Sequence, residues 1–126
     1  MSASGHAVLR LLNSPLHGLL SGHVCTLEYT GAVSGARRSL PVEYVRDGQR
    51  LLIVAAHASA KRWWRNFVGA GRSLTVTLGR HAYDAHAVAI APGDPGYSQA
   101  LAAYKRHHRA PQDADHRLVV IQLAGG

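Results

Sequence analysis

The chain has 126 residues, with 14 Lys and Arg against 7 Asp and Glu, giving a formal charge of +7 with its nine histidines neutral. Its 47% hydrophobic and 17% charged content excludes intrinsic disorder and supports one domain over residues 1–126, burying roughly two thirds of its unfolded surface. A single cysteine, Cys25, excludes an internal disulfide scaffold and points to a reducing, cytoplasmic setting.

In chain order, Val8, Leu11 and Leu12 predict a first short helix, and Ser14 as cap with Pro15 at the first helical position predicts a second. This amino-terminal helical segment, residues 1–22, is interrupted by Arg10, Asn13, Pro15 and His17, too soon to span a bilayer. Its apolar face and the basic charge supply both forces that hold a helix in a lipid interface, so peripheral membrane contact is carried as an expectation. From residue 23 to 30 the period changes to two, with Cys25, Leu27 and Tyr29 on one face of a strand. Gly31 to Gly35 is the turn.

A second strand is predicted over residues 39–46, with Pro41 marking an edge or a bulge because proline cannot donate to a ladder. Asp47-Gly48 signals a hairpin, and residues 51–56 follow as an almost wholly apolar strand covered on both faces. Ser59 is read as the cap of a helix carrying Ala60, Trp64, Phe67 and Val68, stopped by Gly69 and Gly71. Strands at 74–78 and 82–90 meet at Gly79-Arg80. Asp94-Pro95 then opens a helix with Tyr97, Leu101 and Tyr104 on one side and Lys105 to Arg109 at its negative end, before a closing strand at 118–123. About six strands joined by hairpins and interrupted by single helices favour an α+β, mainly β chain forming an antiparallel barrel.

The chemistry-bearing residues cluster in two places. Ser34-Gly35 with Arg37 and Arg38 combines exposed backbone N–H groups with guanidinium forks suited to a phosphate. Lys61-Arg62-Trp63-Trp64-Arg65-Asn66 joins cations to two indoles, of which Trp64 is assigned to the core and Trp63 to a pocket wall or an interface. A pocket so built suits a ligand that is flat, aromatic and anionic at one end, such as a flavin-type cofactor. The histidines show no HExxH or Cys-His spacing, so no metal is assigned. Nucleic acid is not expected, because the chain has neither zinc-finger spacing nor a helix-turn-helix cue and carries one phenylalanine.

Tyr29-Thr30-Gly31, Ser34-Gly35 with Arg38, Leu40-Pro41-Val42, 44–48, 52–56, Trp63-Trp64-Arg65-Asn66-Phe67 and Arg117-Leu118-Val119-Val120 run in an order that resembles the deazaflavin (F420)-dependent nitroreductase family of the split β-barrel flavin and deazaflavin oxidoreductases. The resemblance implies an FMN-binding-like split barrel that passes a hydride from reduced coenzyme F420, an 8-hydroxy-5-deazaflavin, to a small hydrophobic acceptor such as a quinone or nitroaromatic. By similarity, Ser34, Arg37 and Arg38 hold the cofactor phosphate, and Lys61 and Arg62 lie near its acidic tail. Pro41, Ala55, Ala56 and His57 lie along the ring, and Trp63, Trp64 and Asn66 close the pocket. His57, Tyr104 and His107 are the candidate proton donors. Two positions depart from the family pattern. Ala32-Val33 stand where basic residues are common, and His107, His108 and Arg109 stand where tyrosines face the acceptor. Flavin mononucleotide is the alternative cofactor, and a non-catalytic protein binding a flavin or fatty acid is the alternative function. Such barrels also pair as homodimers.

Overall fold

A computed structural model describes residues 24–124. The two amino-terminal helices and the lipid contact read for them lie outside these residues.

Seven antiparallel strands form one sheet in the order β2-β1-β5-β6-β7-β4-β3. They are β1 (Val24–Thr30), β2 (Arg37–Glu43), β3 (Val45–Asp47), β4 (Arg50–Ala56), β5 (Arg72–Leu78), β6 (His81–Ile90) and β7 (His116–Leu123). The two outermost strands, β2 and β3, are consecutive in the chain and separated by Tyr44 alone. A sheet whose opposite edges are joined by one residue has to curl until those edges meet, so the barrel is closed by a bending chain at Tyr44. Farther from that bend β2 and β4 share no ladder, because β2 pairs with β1 while β3 covers only residues 50–52 of β4. That gap is the split.

The strand expected over 39–46 is therefore two strands, and the count is seven rather than about six. Its break falls at Tyr44 and not near Pro41, which pairs with Thr26 on the outer strand β2, where its missing N–H leaves no ladder bond unmade. Cys25, Leu27 and Tyr29 of β1 are buried as their period of two requires.

Two cores divide the apolar residues. Inside the barrel, Leu27, Leu51, Ile53, Phe67, Val76 and Ile121 pack together with at most 1% exposure, each buried side chain contributing about 1.5–3 kcal/mol. On the outer face of β3, β4 and β7, Val45, Leu52 and Leu118 pack against Ala100, Ala103 and Tyr104 of the helix α1 (Tyr97–Lys105). Strand β4 faces both cores, which explains its continuous apolar run.

The helix expected from Ser59 is instead two 3₁₀ turns, Ala58–Ala60 and Trp63–Phe67, with Lys61 extended between them. Tertiary bonds override the helical spacing. The Ser59 hydroxyl and N–H both go to the Asp115 carboxylate, and the Ala58 N–H goes to the Asp115 carbonyl, so none of these groups caps a helix. Among the described residues, no helix is long and apolar enough to cross a membrane.

Candidate functional site

The split and the open end of the barrel beside it form two compartments that share Trp63 as a wall. The first, ≈ 450 Å³, lies between Leu40, Pro41, Val42 and Glu43 of β2 and Ile53, Val54 and Ala55 of β4, with Lys61 and Tyr104 completing it. Most of its wall residues are apolar, and among the described residues both flanking strands are unpaired toward it. Alternate residues of 53–56 therefore direct N–H and C=O groups into the gap with no ladder partner. The second compartment, ≈ 640 Å³, is lined by Tyr29, Gly31 to Ser34, Arg38, Arg62, Arg65 and Asn66. Among the described residues it carries three guanidinium groups and no carboxylate.

Its shape is fixed by one amide. Asn66 Oδ1 accepts the Ala32 N–H at 2.7 Å and Asn66 Nδ2 donates to the Trp63 carbonyl at 2.9 Å, tying the β1–β2 loop to the 3₁₀ turn. Gly31 closes that loop through N–H to the Ala36 carbonyl, and a Cβ here would stand 2.9 Å from Ser34 Oγ. Ser34 Oγ accepts the Ala36 N–H and keeps its own proton to donate.

The two adjacent indoles have different surroundings. Trp64 is buried, donates Nε1–H to the Ala58 carbonyl at 2.8 Å, and lies beneath the Arg117 and Arg65 guanidinium groups at 4.9 and 5.4 Å. Trp63 is half-buried against Phe67.

Of the residues expected from sequence, the structure brings Ser34, Arg38, Arg62, Trp63 and Asn66 to the cationic compartment and Pro41, Ala55, Lys61 and Trp63 to the apolar one. Arg37 points elsewhere. Adjacent strand residues face opposite sides of a sheet, and Arg37 lines a separate ≈ 810 Å³ cavity with Glu28, Arg72 and Asp84. Ala56, His57, Trp64 and His107 do not line either compartment. His57 sits in the left-handed region at φ 52°, with its imidazole 76% exposed and paired to Asp113 at 3.0 Å. The sequence places Arg65 in the cationic cluster but gives it no cofactor role, although its three-residue spacing from Arg62 places both on one face of a 3₁₀ turn. It gives none to Glu43 either.

Tyr104 alone among the three proton-donor candidates lines the apolar compartment. Burial first, and the Glu43 carboxylate second, push its phenol pKa up. His108 stacks on its ring at 5.1 Å and faces Glu43 at 3.7 Å.

A slot with unpaired strand edges that shares its Trp63 wall with an arginine-lined chamber has the chemistry to take a planar ring with an anionic tail. Residues 5–118 match the F420H(2)-dependent quinone reductase family. The chain belongs to that family. Membership assigns it deazaflavin-dependent reductase activity with coenzyme F420 as the cofactor. Among solved structures it is similar to an F420 reductase at 15% identity, covering 89% of this chain and 95% of that one with a TM-score of 0.51. It is also similar to a structure described as a domain-swapped dimer, at 16% identity, 95% coverage of both chains and a TM-score of 0.51. A third is a FAD-binding protein from Mesorhizobium loti at 18% identity, covering 89% and 91% with a TM-score of 0.51. Identities this low establish the split-barrel fold alone. No curated protein matches the chain.

Proposed function

We propose that this F420-dependent reductase holds the deazaflavin ring in the slot between β2 and β4 and the phosphate and acidic tail in the arginine chamber, with Trp63 at the junction. The observation that carries this reading is the shared Trp63 wall, which joins an apolar slot to a chamber with three guanidinium groups. When bound in reduced form, F420 supplies a hydride. The chain's own residues do the rest. Arg38, Arg62 and Arg65 neutralise the anionic tail, and the Ser34 hydroxyl donates to the phosphate. The unpaired backbone of β4 hydrogen-bonds the polar edge of the ring. Pro41, Val42 and Ala55 exclude water from the slot.

The quinone lies over the exposed ring face toward Tyr104. Its hydroxyl donates to the carbonyl oxygen as negative charge develops there. Two arginines beyond Arg38 favour the polyanionic tail of F420 over the single phosphate of flavin mononucleotide, and Arg65 replaces the charge absent from Ala32 and Val33. Likeness to a domain-swapped dimer supports a homodimer, and the lone thiol supports a reducing cytoplasmic location.

The test is reduction of a neutral naphthoquinone by F420H2, followed at the deazaflavin band. Turnover is expected from the wild type, and Trp63→Ala is expected to lose F420 binding and turnover together. A Trp63→Ala protein with unchanged F420 affinity contradicts this placement.

A further inference from the structure

The segment carrying Lys61, Arg62 and Trp63 is held from outside the pocket by an acidic clasp. Asp113 Oδ2 accepts the His57 N–H at 2.8 Å and pairs with the His57 imidazole at 3.0 Å. Asp115 accepts the Ser59 N–H at 3.0 Å and the Ser59 hydroxyl at 2.5 Å, while its carbonyl accepts the Ala58 N–H at 2.9 Å. Asp113 Oδ1 also accepts the Asp115 N–H, so the two carboxylates form one unit. The Ala58 carbonyl in turn receives both the Lys61 N–H and the Trp64 indole N–H. Ala58 thus transmits the position of the 113–115 loop to the pocket wall.

The same loop reaches the opposite wall. His116 Nδ1 donates to the Asp113 carbonyl at 2.7 Å, leaving Nε2 to accept the Tyr97 hydroxyl at 2.5 Å. His116 is 7% exposed, and Tyr97 opens the helix that carries Tyr104. One loop therefore grips both the wall that bears Trp63 and the helix that bears the acceptor-side hydroxyl.

We infer that Asp113 and Asp115 are positioning residues that set the distance between the Lys61–Trp63 wall and α1, and so set cofactor affinity without touching the cofactor. The inference rests on the placement of F420 given above. It makes a prediction opposite in sign to simple electrostatics. Deleting a carboxylate from a protein that binds a polyanion strengthens binding by charge alone, whereas loosening the clasp weakens it.

The experiment titrates F420 against wild type, Asp115→Asn, Asp113→Asn and Ser59→Ala, with Asp84→Asn as a control that removes a carboxylate lining the separate cavity that holds Arg37. Hydrogen exchange of the amides of residues 61–66 is followed in the ligand-free proteins. Asp115→Asn and Asp113→Asn are expected to raise the F420 Kd on the order of tenfold, the effect of one lost charge-assisted hydrogen bond, and to speed exchange across 61–66. Asp84→Asn is expected to bind as tightly as wild type or more so. Folded aspartate variants that bind F420 equally or more tightly overturn the clasp. Should they fail to fold, Ser59→Ala decides, since it removes only one hydroxyl: faster exchange at 61–66 with weaker binding supports the clasp, and unchanged values overturn it. A wild type that ignores F420 overturns the site placement itself, while a wild type that binds beside unaffected variants overturns the clasp alone.

Discussion

Arg37 and Arg38 show how far neighbouring residues can diverge in role. As types they form one phosphate clamp, yet the period of a strand sends Arg38 into the chamber with Arg62 and Arg65 and Arg37 to another cavity. Arg38→Ala is expected to raise the F420 Kd on the order of tenfold by removing a guanidinium–phosphate contact, and Arg37→Ala to leave it within about twofold by the same scale. Fluorescence titration checks both. Tyr104→Phe is expected to lower kcat for quinone reduction roughly tenfold or more, within the range for removal of a positioned proton donor, with F420 affinity unchanged. A fall in affinity equal to the fall in kcat would assign Tyr104 to cofactor binding. Burial pushes the Cys25 thiol up to about 12, so the folded protein is expected to resist thiol reagents at neutral pH and to react only on unfolding.

Among the elements, the strands were legible because their side chains obey their own period. Cys25, Leu27 and Tyr29 alternate, and the apolar run of β4 faces two cores. The 57–68 segment was not legible. Ala60, Trp64 and Phe67 have helical spacing, but the N–H groups of His57, Ala58 and Ser59 are taken by a loop more than fifty residues away, and a distant partner leaves no trace in local periodicity. The same reason hid the break at Tyr44, whose cause is closure of the sheet. Gly71 has its own constraint: at φ 79° its Cβ would stand 2.2 Å from the Ala87 carbonyl oxygen. Gly71→Ala is expected to destabilise the barrel by about 3 kcal/mol or more, read as a lowered denaturation midpoint.

The 113–115 loop gives the fold an acid-sensitive element. Asp113 is held below the usual carboxylate range chiefly by the Asp115 and His57 N–H groups, and Asp115 chiefly by the Ser59 hydroxyl and N–H. A carboxyl depressed in the folded state stabilises fully above its unfolded value and loses that contribution as pH falls through the folded one. Thermal midpoints measured from about pH 5 down to pH 2 should fall more steeply for wild type than for Asp113→Asn/Asp115→Asn. Parallel profiles would show that the carboxylates do not fasten the loop.

Across the whole molecule, the formal charge of +7 attracts a polyanionic cofactor, and the proposed placement adds the arginine chamber to that attraction. Its affinity should therefore weaken severalfold as ionic strength rises from about 0.05 to 0.5 M, where the Debye length shrinks from roughly 14 to 4 Å. The composition announced an anionic partner, and the ordered motifs announced the barrel. What neither contained is the split between β2 and β4, because that gap exists only once the sheet has curled.

The most direct measurement is a paired titration of the purified protein with F420 and flavin mononucleotide at fixed ionic strength, reading indole fluorescence in wild type and Trp63→Ala. The two-compartment site predicts tighter binding of F420 than of flavin mononucleotide, and a fluorescence change that disappears with Trp63. Tighter binding of flavin mononucleotide, or F420 binding that survives the loss of this side chain undiminished, would contradict it.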